Sequence, residues 1–415
     1  MKKAFALLTI LMILATALSA CDIGGTKFEC TDEFGCVDIA PGDPVHIAYS
    51  FVLSGADESL GTDTKRGAEM AVEAKGEILG HPIELTGEDS LCSAEGGQTA
   101  ATKLAADPTL VGVIGTNCSS AARAAIPIIC GANIAMISPS NTAIDLTLPD
   151  RPADYHCYLR TAHSDAVQGA AAANFANEYL QITTAATVHD GSIYAEQLQQ
   201  QFVDTALTLD IQIVGQEAIQ PTDTEMGSML TRIASAGVDM IYYPIFIAAG
   251  GYITSQARQT AGLENTDLMG ADGMFSPDFL EAAGPAALGM YWSSPDFSQF
   301  GAGYQEFLAQ HEAKYGEKPL APFHAHAYDA ANMIFAAVEK VAVQDNDGTL
   351  HIGRKALLDA LYATKDFTGL TGNLTCSQYG DCADPKIAVY ECVDTDPASW
   401  NPGAEADSNP KKVWP

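Results

Sequence analysis

The chain has 415 residues, room for roughly two to three domains. Hydrophobic residues make up 47% and charged residues 18%, a composition that can build a sizeable core and is not that of a disordered segment. Against 21 Lys and Arg stand 52 Asp and Glu, a formal charge of -31 that repels phosphate backbones and anionic lipid headgroups and argues against nucleic-acid binding. At the N-terminus, Lys2 and Lys3 precede an apolar run from Ala4 to Ala17, the pattern of a secretory signal. At about 14 residues the run is short for a bilayer, which needs roughly 20, and no later segment approaches that length.

Ala15-Thr16-Ala17 is an acceptable site for plain secretory cleavage. The signal also ends Leu18-Ser19-Ala20-Cys21, which resembles the lipobox of bacterial lipoproteins. That resemblance implies a signal peptide over 1–20 and an acylated Cys21. The protein would be exported and held by its lipid on the outer face of the cytoplasmic membrane, in the periplasm or at the cell surface. Asp22 resembles an inner-membrane retention signal. Residues 22–43, rich in Gly, Asp, Pro and Thr, read as a tether behind that anchor, so 21–43 is expected to be a lipid-anchored tether.

From Val45 short apolar strands alternate with amphipathic helices. Val45–Ser54, Ile83–Glu88, Val111–Thr116 and Ala132–Ser138 read as strands. Ala68, Ala71 and Val72 mark one intervening helix, and Ala94, Ala101, Leu104 and Ala105 mark another. The pattern restarts with strands at Ala185–His189, Ile211–Ala218, Met240–Phe246 and Leu268–Gly270. Leu198 and Phe202 mark one helix of this set, and Met226, Met229, Leu230 and Ile233 the next. A last helix carries Ala330, Ile334, Ala337 and Val341, before strands near Leu370–Thr375 and Lys386–Cys392. Such alternation predicts two doubly wound, Rossmann-like α/β lobes with parallel sheets and a ligand cleft at the carboxyl ends of the strands. No G-x-G-x-x-G follows the first strand, and neither a Walker A sequence nor a G-x-S-x-G elbow occurs, so no nucleotide cofactor or serine nucleophile is expected.

Ten cysteines suit an oxidised, exported chain. Setting Cys21 aside leaves an odd number, so at least one thiol stays unpaired. Cys30 with Cys36, Cys376 with Cys382, and Cys130 with Cys157 could each pair, though spacing alone proves none of them. Cys92, Cys118 and Cys392 fall outside these candidate pairs.

Several segments recur together in one order. They are Ala48-Tyr-Ser-Phe-Val-Leu-Ser-Gly55, Thr64-Lys-Arg-Gly-Ala-Glu-Met-Ala-Val72, Glu88-Asp-Ser-Leu-Cys92 and Ile114-Gly-Thr-Asn-Cys-Ser-Ser120. Ile137-Ser-Pro-Ser-Asn-Thr142, Val188-His-Asp190 with Tyr194, Tyr242-Tyr-Pro-Ile-Phe246 and Met269-Gly-Ala-Asp-Gly273 follow. In these residues the chain resembles type I periplasmic substrate-binding proteins of the leucine/isoleucine/valine-binding family, over roughly residues 45–392. The resemblance implies a Cys92–Cys118 disulfide and lobes interleaved in sequence. Lobe one would take 44–161 with 293–366, and lobe two 162–292 with 367–415. Three hinge crossings, near 161, 292 and 367, would let the lobes close on a ligand.

An α-amino acid is a zwitterion, so its site needs donors for a carboxylate and an acceptor for an ammonium. Ser119 lies where the third strand gives way to a helix, a position suited to a carboxylate, although Ser119 or Ser120 could equally cap its own helix. Ser140 and Thr142 follow the fourth strand. The resemblance implies a main-chain carbonyl and a hydroxyl for the ligand there, while the residues alone would also fit a local turn. Asp272 is the expected ammonium acceptor. The family often carries Glu there, one methylene longer. Tyr194, Phe246 and Phe323 match aromatics that pack on ligand, although aromatics at strand spacing also fill cores. Leu60 stands where the family often has an aromatic, which loosens the specificity.

The function this implies is capture of an amino acid, branched-chain or aliphatic, between two lobes and its delivery to the permease subunits of an ABC importer. The protein would be a non-enzymatic monomer that meets the membrane through its lipid alone. The same fold could bind an amide, urea or a carboxylic acid, or act as a sensor. A more distant alternative is a metal-dependent hydrolase built on the His324-Ala-His326 pair with Asp329, but the pair precedes a helix instead of sharing one face of a strand, and no further ligand is evident. His189-Asp190 lacks a nucleophile partner and reads as a strand end with a helix cap.

Overall fold

In the computed structural model, which describes residues 28–415, the first four apolar runs form Val45–Phe51, His81–Asp89, Leu110–Gly115 and Ala135–Ser138. These strands pair in parallel, with Ile47 opposite Leu85 on one side and Gly112 on the other. Every residue of Leu110–Gly115 is buried, as a strand covered on both faces requires. Tyr158–Arg160 joins beside Ala135–Ser138, and Glu77–Ile78 folds back on His81 to complete six strands. The second set forms a seven-stranded sheet ordered Lys411–Trp414, Ile387–Glu391, Tyr291–Pro295, Asp267–Gly270, Met240–Tyr242, Thr184–His189, Gln212–Ala218. Its last five strands are parallel, and the first two are antiparallel additions at one edge. The architecture is the expected mixed α/β pair of lobes with parallel sheets. No helix among the described residues is long and apolar enough to cross a membrane.

Sheet membership puts two of the passages between lobes later than the sequence suggests. Tyr291–Pro295 belongs whole to the second sheet, where Gln168 Nε2 donates to the Ser293 carbonyl at 3.1 Å and to its hydroxyl at 3.2 Å. The polar Ser293-Ser294-Pro295 ending hides that strand from any search for an apolar run. Residues 367–382 stay with the first lobe. Phe367–Thr368 pairs with Asn373–Leu374 in a short hairpin, and Leu374 and Cys382 enter the first lobe's core. The chain rejoins the second sheet first at Ile387–Glu391.

The signal peptide, Cys21 and the start of the tether lie outside the described residues. The described part, 28–43, is not a tether. Cys36–Ile39 pairs antiparallel with Leu350–Gly353, Val37 and Ile39 enter the core, and Cys30 is bonded to Cys36. Further disulfides join Cys92 to Cys118, Cys130 to Cys157 and Cys376 to Cys382. Cys392 is free and buried, its thiol pushed up to about 12 by burial.

Asp32, in this same segment, accepts hydrogen bonds from the N–H groups of Phe34, Lys355 and Ala356, each at 2.9 Å. The last two open the helix Arg354–Tyr362, whose own N-cap, Gly353, has no side chain to offer. Burial opposes the charge, but the N–H groups of Ala356, Lys355 and Phe34 outweigh it and hold the carboxyl below its ordinary value of 3.8. A depressed value means the contribution is present above 3.8 and fades as pH falls through the lowered value. Asp32→Ala is therefore expected to cost about 1–2 kcal/mol in urea unfolding at neutral pH, with the gap from wild type closing in acid.

Candidate functional site

The loops at the carboxyl ends of the parallel strands meet in a narrow cleft. From the first lobe come Leu60, the Asn117-Cys118-Ser119 loop, Ser140 and Phe323. From the second come Tyr194, Phe246, Asp272 and Gly273. A larger hollow lies between the helix Tyr304–Tyr315 and residues 400–408. Its buried ionisable group, His324, already has partners there.

On the first lobe, the disulfide Cys92–Cys118 ties together the loops that leave His81–Asp89 and Leu110–Gly115. Asn117 braces the same point, accepting from the Val52 N–H at 2.9 Å and donating to the Thr64 hydroxyl at 2.8 Å. Ser119 is buried and opens the helix Ser119–Gly131, yet Cys118 occupies the N-cap position. Neither serine caps this helix. Ser119 Oγ accepts from the Ala143 N–H at 3.3 Å, and Ser120 Oγ accepts from the Ile193 N–H of the other lobe at 3.2 Å. Thr142 is buried in the Ser140 loop that walls the cleft. Its carbonyl accepts from the Asp165 N–H at 2.8 Å and from Arg160 Nη1 at 3.1 Å.

Arg160, which the sequence reading passed over, organises that wall. Its side chain is 1% exposed, Nη1 donates to the Ala143 carbonyl at 2.8 Å, and Nη2 meets Asp381 at 2.6 Å. A single Arg in the otherwise apolar Tyr158–Arg160 is the signal that could have found it.

On the second lobe, Asp272 is 3% exposed. Tyr194 Oη donates to Asp272 Oδ1 at 2.5 Å, and the Gly273 N–H donates to the same oxygen at 3.0 Å. A Cβ on Gly273 would come within 2.9 Å of the Ile245 carbonyl and 3.0 Å of the Tyr194 ring, so glycine is what lets the phenol approach. The Tyr194 and Phe246 rings pack at 5.3 Å, and Phe323 lies 6.0 Å from the His163 ring. Burial, and after it the Asp272 charge, pushes the Tyr194 phenol well above its ordinary range.

His163, also missed, faces Asp272 Oδ2 at 3.5 Å. Gln168 donates through Nε2 to Ser293, so its carbonyl oxygen accepts from His163 Nε2–H at 2.7 Å. Burial pushes the imidazole down, against the pull of Asp272. A second buried carboxyl, Asp165, is held well above the carboxylate range by burial. No Lys or Arg reaches Asp272 among the described residues, so the buried carboxylate has dipolar donors but no permanent cation. Such an arrangement can accept a cationic group presented from the cleft.

The other candidate cluster does not converge. His324 Nδ1 meets Asp63 Oδ2 at 3.1 Å, and its Nε2 meets Tyr304 Oη at 2.8 Å. Asp329 instead accepts from the Leu370 and Thr371 N–H groups at 2.7 and 2.8 Å, holding a turn. Asp190 accepts from the Ser192 N–H at 2.9 Å, just ahead of the helix Ile193–Thr208.

The sequence profile of the periplasmic binding protein family matches residues 44–396. The leucine-, isoleucine-, valine-, threonine-, and alanine-binding protein of Pseudomonas aeruginosa is 27% identical over 352 residues, 84% of this chain and 90% of its own length. Among solved structures, the branched-chain amino acid transporter substrate-binding protein of Streptococcus pneumoniae, in complex with isoleucine, is similar with a TM-score of 0.75 and 24% identity. That likeness covers 90% of this chain and 100% of that one. A leucine-binding protein of Thermotoga maritima is similar at the same TM-score of 0.75 and 23% identity, over 85% of this chain and 96% of that one.

Replacing Arg160 strips three loop carbonyls of a donor and leaves Asp381 without its partner. Arg160→Leu is expected to lose about 2–4 kcal/mol in urea unfolding. Arg160→Lys should recover only part of that loss, because an ammonium cannot reproduce the planar fork.

Proposed function

We propose, since the chain belongs to the periplasmic binding protein family, that it captures an α-amino acid with an aliphatic side chain, branched-chain above all, in the cleft between its lobes. The observation that carries this reading is Asp272, a buried carboxylate without a permanent cation that faces the hydroxyl-bearing Ser119 and Ser140 of the other lobe. An ammonium would complete the charge of Asp272, and the ligand carboxylate would lie against the serines at the start of the helix Ser119–Gly131. Leu60, Tyr194, Phe246 and Phe323 would then enclose the side chain. The zwitterion is neutral overall, so a strongly acidic protein does not repel it. The lobes, 44–161 with 293–366 and 162–292 with 367–415, adjusted for the later crossings, would open to admit the ligand and close to trap it.

No bond is made or broken in this function. In the same reading the loaded protein delivers its amino acid to the permease subunits of an ABC importer, as an exported monomer held to the membrane through Cys21. The names of the relatives support the ligand class, and the family supports the delivery.

A thermal-shift screen of the chain from Asp22 onward, against amino acids, amides, urea and aromatic acids, tests the reading. At a hundred times its dissociation constant a ligand stabilises the native state by about 2.7 kcal/mol. Leucine, isoleucine or valine should raise the melting temperature. Asp272→Ala should weaken them by about a hundredfold or more while the unliganded protein stays folded. Unchanged affinity in that variant removes the ammonium assignment, and a shift with an amide or aromatic acid alone replaces the ligand class.

A further inference from the structure

The helix Ile247–Ala257 starts at the cleft with Phe246 in its N-cap position, and a phenylalanine cannot accept from first-turn amides. The acceptor comes from the other lobe. Asp57 Oδ1 lies 3.3 Å from the Ile247 N–H, across 190 residues of sequence. Asp57 is itself the N-cap of the helix Glu58–Lys75, where an aspartate ordinarily bonds its own first turn, yet it makes no such bond. Its carboxylate is turned away from the helix it precedes and across to the opposite one. Ser59 crosses beside it, its hydroxyl 2.9 Å from that of Ser276. Phe246, one residue before the capped amide, lines the ligand cleft.

We infer that Asp57 is a latch, a positioning residue that caps the helix Ile247–Ala257 in trans when the lobes are closed and so holds the liganded form without touching ligand. The inference rests on the proposed opening and closing of the lobes. When they part, the Ile247 N–H turns to water and Asp57 is free to cap its own helix. The latch therefore acts on escape rather than on entry.

The groups around Asp57 give the latch a proton dependence. Asp190 and Asp278 face it from the second lobe, Glu58 follows it on its own helix, and Ile247–Ala257 brings no Asp, Glu, Lys, Arg or His. Burial, then the like charges of Asp190 and Asp278, push its carboxyl from 3.8 to about 6, against the Ile247 N–H, which lowers it. A value raised in the closed form means that closing takes up a proton between 3.8 and about 6. Closure is favoured by acid across that window and is level above it.

Off-rates and dissociation constants for L-leucine, L-isoleucine and L-valine, measured on wild type, Asp57→Ala and Asp57→Asn, test this. Asp57→Ala should raise the off-rate roughly five- to tenfold with the on-rate unchanged. Asp57→Asn keeps an accepting oxygen, so at pH of about 5, where Asp57 is mostly protonated in the closed form, its off-rate should stay near wild type, and it should lack the proton dependence. The affinity of wild type relative to Asn should fall about tenfold from pH of about 5 to about 7.5. Equal off-rates for all three proteins overturn the latch. If none of the amino acids binds even to wild type, the ligand reading fails separately, and small-angle scattering of the unliganded proteins decides the latch. A more extended Asp57→Ala supports it, and superimposable curves overturn it.

Discussion

Three helix N-termini in this molecule are closed by acceptors from distant segments. Each first turn leaves amides without intrahelical partners, and a residue at the N-cap normally supplies the acceptor. Here Gly353, Phe323 and Phe246 occupy that position in three helices and cannot. Asp32 serves the first of them. Asp63 serves the second, accepting from the His324 N–H at 2.8 Å and the Leu320 N–H at 2.9 Å. Asp57 serves the third. A surplus of carboxylates makes such acceptors plentiful, and the positive end of a helix favours them. The consequence is that these helices are completed only when the tertiary structure forms, so local and global order are coupled.

The cleft inherits this coupling. Its donors sit on a loop tied by Cys92–Cys118 and by Asn117, and its wall hangs on Arg160, whose partner Asp381 lies in the loop closed by Cys376–Cys382. Its acceptor, Asp272, is fixed by Tyr194 and Gly273 on the other lobe. On the proposed function, each lobe alone presents half of what a zwitterion needs. The cross-lobe contacts of Ser120 with Ile193, Gln197 with the Ile144 N–H at 2.7 Å, and Ser59 with Ser276 bring the halves together. On the proposed function, the ligand is the remaining bridge between them.

What the sequence made legible follows from how each residue is held. Leu110–Gly115 and Met240–Tyr242 are wholly buried runs, and burial on two faces writes itself as continuous apolar sequence. Trp292–Pro295 and Tyr158–Arg160 are buried as deeply, but their polar atoms find partners in Gln168 and in loop carbonyls, so no apolar run announces them. Residues 28–43 have the composition of a linker because a disulfide and a three-residue carboxylate cap do the work that a longer core would otherwise do. The cleft residues were approachable through family resemblance, whereas Arg160, His163 and Asp57 act on groups far away in sequence. No local spacing encodes such partners.

The C-terminal segment shows the same logic at the point where the lobes join. The family profile stops at residue 396, and the strand Lys411–Trp414 lies beyond it, pairing with Ile387–Glu391 at the edge of the second sheet. Lys412 Nζ reaches Asp296 at 2.7 Å, immediately after Tyr291–Pro295 leaves that sheet, and Trp400 Nε1 donates to the Pro319 carbonyl at 3.0 Å. One segment thus covers an exposed sheet edge and binds to two places on the chain's passage between lobes. Motion about that passage must carry this segment with it or break the Trp400 contact. On the proposed opening of the lobes, its geometry is therefore set partly by residues outside the matched family region.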